Sequence, residues 1–433
     1  MNKKVLIITY YWPPSGGSGV QRWLKFVKYL PQFGWEPIIY TPENPSFTIQ
    51  DESLQKEIPA SVEVIKLPIW EPYDIFFTFS RFFGKKAIKQ SDFISIEGRS
   101  LFQKISIWIR GNFFIPDARI FWVKPSVRFL EDFIKSNQIE MIITTGPPHS
   151  IHLIGLRLKK KINTLKWIAD FRDPWSEWDL LDTLSLTRIA RGAHKRQELE
   201  VLTSADCVIT IAPFHVARFE KLSGRKVDLL TNGFDTDDFA SSRKKRTLKF
   251  TLRHIGIVDE LRDPRPILQS VRELCEIETG FAENVSVEFI GSVNSAFRKY
   301  VTDDETLKKV VSFRDTIPHD ELLQLYGETD VQLLVLAHTA IAPGNLPGKL
   351  FEYLASGNFI IGIGPTNGDA SAVLKETNAG IILERVDHDG IKNALMKFYA
   401  NWRDGDNATA RDVSRYSREN LTRQLVTLLE SLH

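Results

Sequence analysis

The feature that most constrains the fold is a series of short, mostly apolar runs, each followed by a loop and a helical segment. Val5–Thr9 is the first run, and the glycine-rich loop at Pro13–Gly19 follows it. A helix with apolar residues at helical spacing then leads to a second run at Glu36–Tyr40. Continuous apolar strands belong to parallel sheets that helices cover on both faces. The order strand, glycine loop, helix, strand therefore predicts a doubly wound α/β domain.

The same alternation occurs in both halves of the chain, and 433 residues are enough for two domains. We predict a first domain over residues 1–235, a polar linker over 236–248, a second domain over 249–408 and a C-terminal helix over 409–433. Ser241–Arg246 is the basic run that marks the linker. The further predicted strands are Met141–Thr144, Trp167–Ala169, Cys207–Ile211, Val227–Leu230, Phe250–Ile257, Val285–Ile290, Val310–Phe313, Val331–Leu336, Phe359–Ile363 and Ile381–Leu383.

Composition excludes several classes of protein. The hydrophobic content of 43%, the charged content of 25% and the net charge of +2 are typical of a soluble globular protein and do not indicate nucleic-acid binding. The two cysteines, Cys207 and Cys275, lack the spacing of zinc ligands or of a disulfide framework. No signal peptide precedes the first strand, and no run approaches the roughly 20 apolar residues of a membrane span. We therefore expect a cytoplasmic protein.

Residues 70–125 interrupt the alternation and form a predicted insertion in the first domain. Aromatic side chains alternate there with lysines and arginines, a pattern that can mark a surface on anionic lipid. The insertion can equally consist of ordinary core helices, and the sequence leaves both interpretations open. The residues are Trp70, Tyr73, Phe76, Phe77, Phe79, Phe82, Phe83, Lys85, Lys86, Lys89, Phe102, Lys104, Trp108, Arg110, Phe113, Phe114, Arg119, Phe121 and Trp122.

The stretch Gly344–Gly357 reads as a glycine-lined turn that opens a short helix. Pro347 suits the first helical turn, and Gly357 suits its end. The unpaired N–H groups of a first turn attract phosphate, and Lys349 adds a positive charge at the same end. Glu352 lies one turn further on the same face, where its carboxylate can accept hydrogen bonds from a ribose diol. The alternative is a surface turn with an ordinary lysine–glutamate pair.

A second glycine pattern, Gly17–Arg22, matches the dinucleotide fingerprint except at its last position, where Arg22 replaces glycine. No convincing acidic residue ends the second strand, so a nicotinamide enzyme has little support. The loop still forms an anion or ligand pocket at a helix start, and Arg22 in the first helical turn puts a cation where an anion is expected.

Arg262 follows the strand that ends in Gly256, and Asp263-Pro264 opens the next helix. Ligands of open α/β sheets bind at the carboxyl edge of the strands. Arg262 and Lys349 are both predicted at that edge of the second domain, where together they can hold a diphosphate. The alternative for a single loop arginine is solvation at the surface.

These motifs together resemble the retaining glycosyltransferases of family 4, which have the GT-B fold. The similar residues are the loop at Pro13–Gly19, Asn232–Asp235, Gly256 with Arg262, and Lys349–Gly357, which is the most specific match. The resemblance implies two facing Rossmann-like domains with a cleft between them, and a C-terminal helix that packs back on the first domain. The motifs "PGKLFEYLA" and "DFRDPW" resemble enzymes of surface-polysaccharide or lipopolysaccharide assembly.

The resemblance also implies roles for individual residues. Arg262 and Lys349 would hold the diphosphate of a nucleotide sugar and stabilise it as the leaving group, and Glu352 would bind the ribose. Gly16 and Gly17 would make room for the diphosphate. His149 matches a histidine that contacts the donor sugar, although it can equally be a capping residue. Asp170, and beside it Asp173, could meet the acceptor hydroxyl. Gly256, Asn345, Leu346 and Gly348 complete the implied donor site.

The chain departs from the family at Gly344, where a glutamate usually binds the hydroxyls of the donor sugar. The resemblance further implies transfer to a glycan or lipid-linked acceptor with retention, no metal and no cofactor. Two alternatives stay open: a nucleotide-sugar epimerase of the same fold, and a non-catalytic nucleotide-sugar-binding protein. The nucleobase, the sugar, the acceptor and the oligomeric state do not follow from the sequence.

Overall fold

The computed structural model describes residues 3–47, 49–72, 101–239, 247–405 and 411–433. The chain forms two compact units, Met1–Leu230 with Thr422–His433, and Thr231–Leu421. The basic run Ser241–Arg246 of the predicted linker and the aromatic residues between 73 and 100 lie outside the described residues.

The first unit contains a parallel sheet with the order β3-β2-β1-β4-β5-β6-β7 in the described part of the chain. The order reverses between β1 and β4, so the loops after these two strands diverge to opposite faces of the sheet. Its core is built from the apolar strands and the helices that cover them. The strands are β1 (Lys4–Ile8), β2 (Glu36–Pro42), β3 (Glu63–Leu67), β4 (Met141–Gly146), β5 (Lys166–Phe171), β6 (Cys207–Thr210) and β7 (Asp228–Leu229).

The second unit repeats this arrangement with a parallel sheet of order β10-β9-β8-β11-β12-β13. Here the order reverses between β8 and β11, and a separate apolar core surrounds the sheet. Two parallel α/β domains of the Rossmann type, as predicted, are therefore present. The strands are β8 (Phe250–Ile255), β9 (Val285–Ile290), β10 (Val311–Arg314), β11 (Val331–Val335), β12 (Phe359–Ile363) and β13 (Gly380–Leu383).

Helices connect the strands in both units, and the described α-helices are numbered in chain order. In the described residues, four short 3-10 segments accompany them, at Leu30–Phe33, Glu52–Glu57, Ala342–Gly344 and Ser414–Tyr416. The helices are α1 (Ser18–Tyr29), α2 (Leu101–Phe113), α3 (Ile120–Ser136), α4 (Ser150–Lys161), α5 (Asp179–Asp182), α6 (Arg188–Ser204), α7 (Pro213–Ser223), α8 (Thr236–Phe239), α9 (Arg265–Ile277), α10 (Phe281–Asn284), α11 (Ser295–Thr302), α12 (Leu307–Val310), α13 (His319–Tyr326), α14 (Gly348–Ala355), α15 (Asp369–Glu376), α16 (His388–Asp404) and α17 (Arg418–Leu432).

The C-terminal helix packs on the first unit, as predicted. Glu430 forms an ion pair with Lys3, and the His433 ring lies 5.5 Å from the Trp35 ring. The helix is shorter than the predicted range 409–433, since α17 begins only at Arg418. Ser414–Tyr416, just before it, form a 3-10 turn, which separates the helix from the preceding residues.

The described part of the insertion consists of α2 and α3. Helix α3 buries Trp122, Val127 and Leu130 in the core of the first unit. Helix α2 instead leaves Trp108 and Phe113 exposed. In the ranges that the structure describes, no helix combines the length and the apolar character needed to cross a membrane.

Candidate functional site

The implied donor residues of the second unit lie on the loops after β8 and β11, the two strands that flank the reversal of strand order. Gly256 and Arg262 follow β8, and the turn that contains Gly344 leads from β11 into α14. Carboxyl-end loops at such a point diverge and leave a crevice, which is where open α/β sheets bind ligands. The fold therefore places Arg262 and Lys349 at the same edge, as the sequence predicted.

Lys349 turns back toward the sheet from the first turn of α14. Its ammonium group donates a hydrogen bond of 2.8 Å to the carbonyl oxygen of Ile255, the last residue of β8. Burial, together with the charge of Arg262, lowers the pKa of Lys349 to about 7, although Glu352 opposes the shift. A cation this poorly solvated gains more from an incoming anion than an exposed lysine does. Lys349 is therefore suited to bind a phosphate group.

Gly256 permits this position of Lys349. It has a φ of +129°, and a Cβ built on it would lie 3.2 Å from the Lys349 ammonium nitrogen. Residues other than glycine rarely adopt this backbone conformation. Gly256 thus has a steric role beside the lysine in addition to its predicted place in the donor site.

Arg262 is held by a compact turn. The carboxylate of Asp259 accepts the backbone N–H of Arg262 at 2.7 Å and the backbone N–H of Leu261 at 3.1 Å through one oxygen. Its other oxygen accepts a bond of 2.8 Å from the Arg262 guanidinium. The Arg262 side chain remains 38% exposed, so its other N–H groups can reach a ligand at the edge. No role for Asp259 was evident from the sequence, although an aspartate three residues before the arginine is a known turn signal.

Glu352 is positioned by two side chains of α13. The Tyr326 hydroxyl donates to Oε2 over 2.6 Å, and Nε2 of His319 lies 3.4 Å from Oε1. Burial raises the pKa of Glu352, but His319, Tyr326 and Arg418 more than offset burial, so its pKa is lowered. The carboxylate is therefore an acceptor over the physiological pH range. The sequence did not reveal Tyr326 or His319 as members of this site.

The remaining donor positions differ in what they offer. A Cβ built on Gly348 would meet open space, so the helix start there is accessible. The Leu346 side chain is buried, and its carbonyl oxygen accepts a long bond of 3.5 Å from Asn232. Asn345 follows the 3-10 turn that ends at the buried Gly344. Leu346 can therefore offer a ligand its backbone groups but not its side chain.

In the first unit, the predicted residues also follow the two strands at the reversal of order. Gly16 and Gly17 lie on the loop after β1, and His149 follows β4. Gly16 packs closely on the neighbouring segment, because a Cβ there would lie 2.8 Å from Ile49. Gly17 has a φ of +86° and precedes α1, so it gives the loop a conformation that favours glycine.

His149 is buried against aromatic rings. Its imidazole stacks on Trp175 with ring centroids 5.0 Å apart. Among the described residues, neither ring nitrogen has a partner in hydrogen-bond geometry. Burial, with the charges of His152 and Arg172, holds its pKa well below the usual value, although the nearby Pro174 carbonyl opposes this. His149 is therefore a neutral imidazole with unused hydrogen-bonding capacity.

Asp170, for which the sequence predicted contact with the acceptor hydroxyl, lies in a buried polar network. It is fully buried, and Arg22 donates to both of its oxygens over 3.1 and 3.0 Å. Trp23 and Thr145 donate to the same carboxylate at 2.7 and 2.9 Å. These contacts make Asp170 the centre of a buried network, and they also explain Arg22, whose charge the sequence assigned to an anion site.

Asp173 lies just beyond this network and is partly exposed. Burial raises its pKa, which Arg172 opposes and Asp170 reinforces. Arg172 itself donates to the carbonyl oxygens of Gly19, Gly146 and Pro147, and thereby ties the loops after β1 and β4 together. The acceptor-side role of Asp170 or Asp173 stays a prediction.

Comparison with known proteins supports the fold. No family model matches the chain, and no curated protein matches it. Among solved structures, the chain is similar to the sucrose-phosphate synthase from Thermosynechococcus elongatus, with a TM-score of 0.62, 13% identity and 99% of both chains covered.

Two further solved structures resemble the chain over nearly its whole length. WaaG, a glycosyltransferase involved in lipopolysaccharide biosynthesis, has a TM-score of 0.54 and 12% identity, with 98% of this chain and 95% of that chain covered. A putative UDP-N-acetylglucosamine 2-epimerase from Listeria monocytogenes has a TM-score of 0.57 and 10% identity, with 100% and 96% covered. The fold is therefore GT-B.

Proposed function

We propose that the protein is a glycosyltransferase that moves a sugar, a hexose, from a nucleotide diphosphate sugar to an acceptor hydroxyl with retention at the anomeric carbon. The main observation behind this proposal is the group of residues at the carboxyl edge of the second sheet, namely Arg262, Lys349, Gly256 and Glu352. Two cations and a helix start suit a diphosphate, and an ionised carboxylate one helical turn away suits a ribose diol.

Arg262 and Lys349 would act on the leaving group. As the bond between the sugar and the diphosphate breaks, negative charge increases on the phosphate oxygens. Cations already placed there stabilise the transition state more than the ground state. The positive charge that a metal supplies in other enzymes would come here from these two side chains, so we expect turnover to continue in the presence of EDTA.

In the first unit, His149 would contact the donor sugar, and the Gly16–Gly17 turn would leave room for the diphosphate. The buried imidazole is neutral, and apart from the nearby Pro174 carbonyl its ring nitrogens have no partner among the described residues, which suits a hydrogen bond to a sugar hydroxyl. Because Asp170 is engaged by Arg22, we do not expect it to act as a nucleophile. We therefore favour a front-face reaction in which the phosphate helps to deprotonate the acceptor.

The experiment that tests this function is turnover with a panel of UDP-, GDP-, ADP- and dTDP-sugars, with and without glycan and lipid-linked acceptors. Arg262→Ala and Lys349→Ala should each slow transfer by at least about tenfold, a barrier increase of about 1.4 kcal/mol. Arg265→Ala is the matched control, since Arg265 lies only three residues after Arg262, at the start of α9, but pairs with Asp263 and its side chain is 54% exposed. Loss of less than about threefold in both test variants, under 1 kcal/mol, would contradict the proposal.

The same assay separates the alternatives. The similarity to the Listeria protein makes an epimerase one alternative. An epimerase would convert the nucleotide sugar without any acceptor. The glycine at position 344, where the family has a glutamate, makes a non-catalytic protein the other alternative. Such a protein would bind donors without turnover.

The acceptor would belong to cell-surface polysaccharide or lipopolysaccharide assembly, and the protein would act in the cytoplasm in peripheral contact with anionic membrane. Helix α2 supports the contact, because Ile105, Trp108, Ile109 and Phe113 form one exposed apolar face at helical spacing beside the exposed Lys104. This arrangement suits insertion of aromatic rings between anionic headgroups.

Sedimentation with phosphatidylcholine vesicles, with and without phosphatidylglycerol, tests the membrane contact. We expect salt-sensitive binding only to the anionic vesicles, and loss of binding in Trp108→Ser with Phe113→Ser. Leu222→Ser is the matched control, because Leu222 is as exposed as Trp108, 41%, but lies on α7. Equal binding to both kinds of vesicle, or none, would refute the contact.

A further inference from the structure

The carboxylate of Glu352 is held from one side by the two ends of a single helix. His319 is the first residue of α13 and Tyr326 is the last. They are seven residues apart, which is about two turns, so both side chains lie on one face of the helix. Tyr326 is fully buried and its hydroxyl donates to Oε2, whereas Nε2 of His319 is 3.4 Å from Oε1.

The two contacts differ in strength, and the difference leaves one oxygen available. A donor–acceptor distance of 2.6 Å is typical of a strong hydrogen bond to a carboxylate, whereas 3.4 Å is at the outer limit for a nitrogen donor. Oε2 is therefore engaged, and Oε1 retains most of its capacity to accept. Without a fixed partner, the terminal torsion of a glutamate is broad.

Tyr326 is suited to this task because its proton does not leave. Burial and the nearby charge of Glu352 raise its pKa well above the usual value for tyrosine. The hydroxyl consequently keeps its proton at neutral pH and remains a donor there. Without the carboxylate, this buried hydroxyl would lose the partner that the structure gives it.

We propose that Tyr326 is a positioning residue of the nucleotide site, which orients Glu352 so that Oε1 points to the ribose hydroxyls, and that His319 is a second, weaker donor to the same carboxylate. This inference rests on the proposed function, because it takes Glu352 as the ribose acceptor. Tyr326 does not touch the ligand; its effect on binding passes through the carboxylate.

Isothermal titration with UDP, GDP and ADP, each compared with its 2′,3′-dideoxy counterpart, tests the inference. Tyr326→Phe should weaken binding of the best ribonucleotide about tenfold and change binding of its dideoxy counterpart by less than twofold. Tyr399→Phe is the matched control, since it removes a hydroxyl that donates a hydrogen bond to the carbonyl oxygen of Gly280 elsewhere in the same unit. It should change the binding of neither the ribonucleotide nor its dideoxy counterpart. His319→Ala should weaken only the ribonucleotide, by about threefold.

A double-mutant comparison shows whether Tyr326 acts through Glu352. In a Glu352→Gln background, Tyr326→Phe should add less than a twofold change. An equal effect of Tyr326→Phe on the ribonucleotide and on the dideoxynucleotide would indicate a merely structural role and would overturn the inference. Thermal melting confirms that each variant is folded.

The failure of the inference and the failure of the proposed function give different results. If Glu352→Gln keeps the full preference for the ribonucleotide, Glu352 does not bind the ribose, and the proposed function is wrong in assigning the ribose to Glu352. If Glu352→Gln abolishes the preference but Tyr326→Phe preserves it, only the positioning role is wrong.

Discussion

Donor binding should depend on pH because of Lys349, and the direction follows from its surroundings. The lysine has a pKa of about 7, since burial and the charge of Arg262 disfavour its protonated form. A bound diphosphate favours the protonated form and raises the pKa. Binding must then take up a proton wherever the free lysine is neutral and the bound lysine is charged. Affinity should therefore fall as the pH rises above about 7.

The size of the effect follows from the fraction of charged lysine. If only the charged form binds, the dissociation constant increases by up to about tenfold for each pH unit above the free pKa. Between about pH 6 and pH 8.5, the total increase would be roughly 30-fold. A nucleotide sugar is the right ligand, because its diphosphate is esterified at both ends and has no phosphate monoester, whose second pKa is about 6.

Isothermal titration at several pH values, each in two buffers of different ionisation enthalpy, measures both affinity and proton uptake. We expect uptake of nearly one proton at about pH 8, and an affinity that decreases through pH 7 to 8.5. Lys349→Arg is the matched control: it keeps a permanent charge, so its affinity should not vary with pH over this range, whatever its absolute value. A flat profile with no proton uptake in the wild-type protein would refute the reasoning.

Three further predictions concern single contacts. Lys349→Met should raise the melting temperature of the ligand-free protein at about pH 6.5 by a few degrees. The lowered pKa of the lysine means that its charge opposes folding below pH 7, and this cost decreases as the pH rises toward 10.5. Thermal melting at several pH values measures the difference between the two proteins. Gly256→Ala should weaken donor binding at least about tenfold in titration and cost about 1–3 kcal/mol of stability, since it strains a φ of +129° and crowds Lys349; an unchanged affinity would remove its steric role. Asp170→Asn should lower the free energy of unfolding by about 3–5 kcal/mol in urea titration, because it leaves the buried Arg22 without its counter-charge, and Arg22→Met with Asp170→Leu should recover most of the loss.

The sequence was sufficient to predict the architecture, because a strand that is buried on both faces of the sheet consists of a run of apolar residues. Val331–Val335 and Met141–Gly146 are buried along their whole length, and both were predicted. Strand β3 was not, since Glu63–Leu67 lies at the sheet edge and none of its residues is fully buried. Its charged residues hide the apolar pattern, so edge strands of this kind are missed.

The site was predictable where its residues are close in sequence and unpredictable where the fold brings them together. Lys349 and Glu352 share one helix, and their spacing places them on one face. Tyr326 is 26 residues from Glu352, and Arg22 is 148 residues from Asp170. No local spacing links such pairs, so the sequence assigned Asp170 to an acceptor hydroxyl and Arg22 to an anion, whereas the structure pairs them with each other.

The most direct test of the central claim, that the second unit binds a nucleotide diphosphate sugar through Arg262, Lys349 and Glu352, is a thermal-shift screen of nucleotide sugars on the wild-type protein and on Arg262→Ala. A ligand that binds only the folded state raises the melting temperature according to its affinity. We predict that at least one nucleotide sugar stabilises the wild-type protein, and that its shift is lost in Arg262→Ala but kept in Arg265→Ala. Stabilisation by none of the nucleotide sugars, or an equal shift in all three proteins, would contradict the claim.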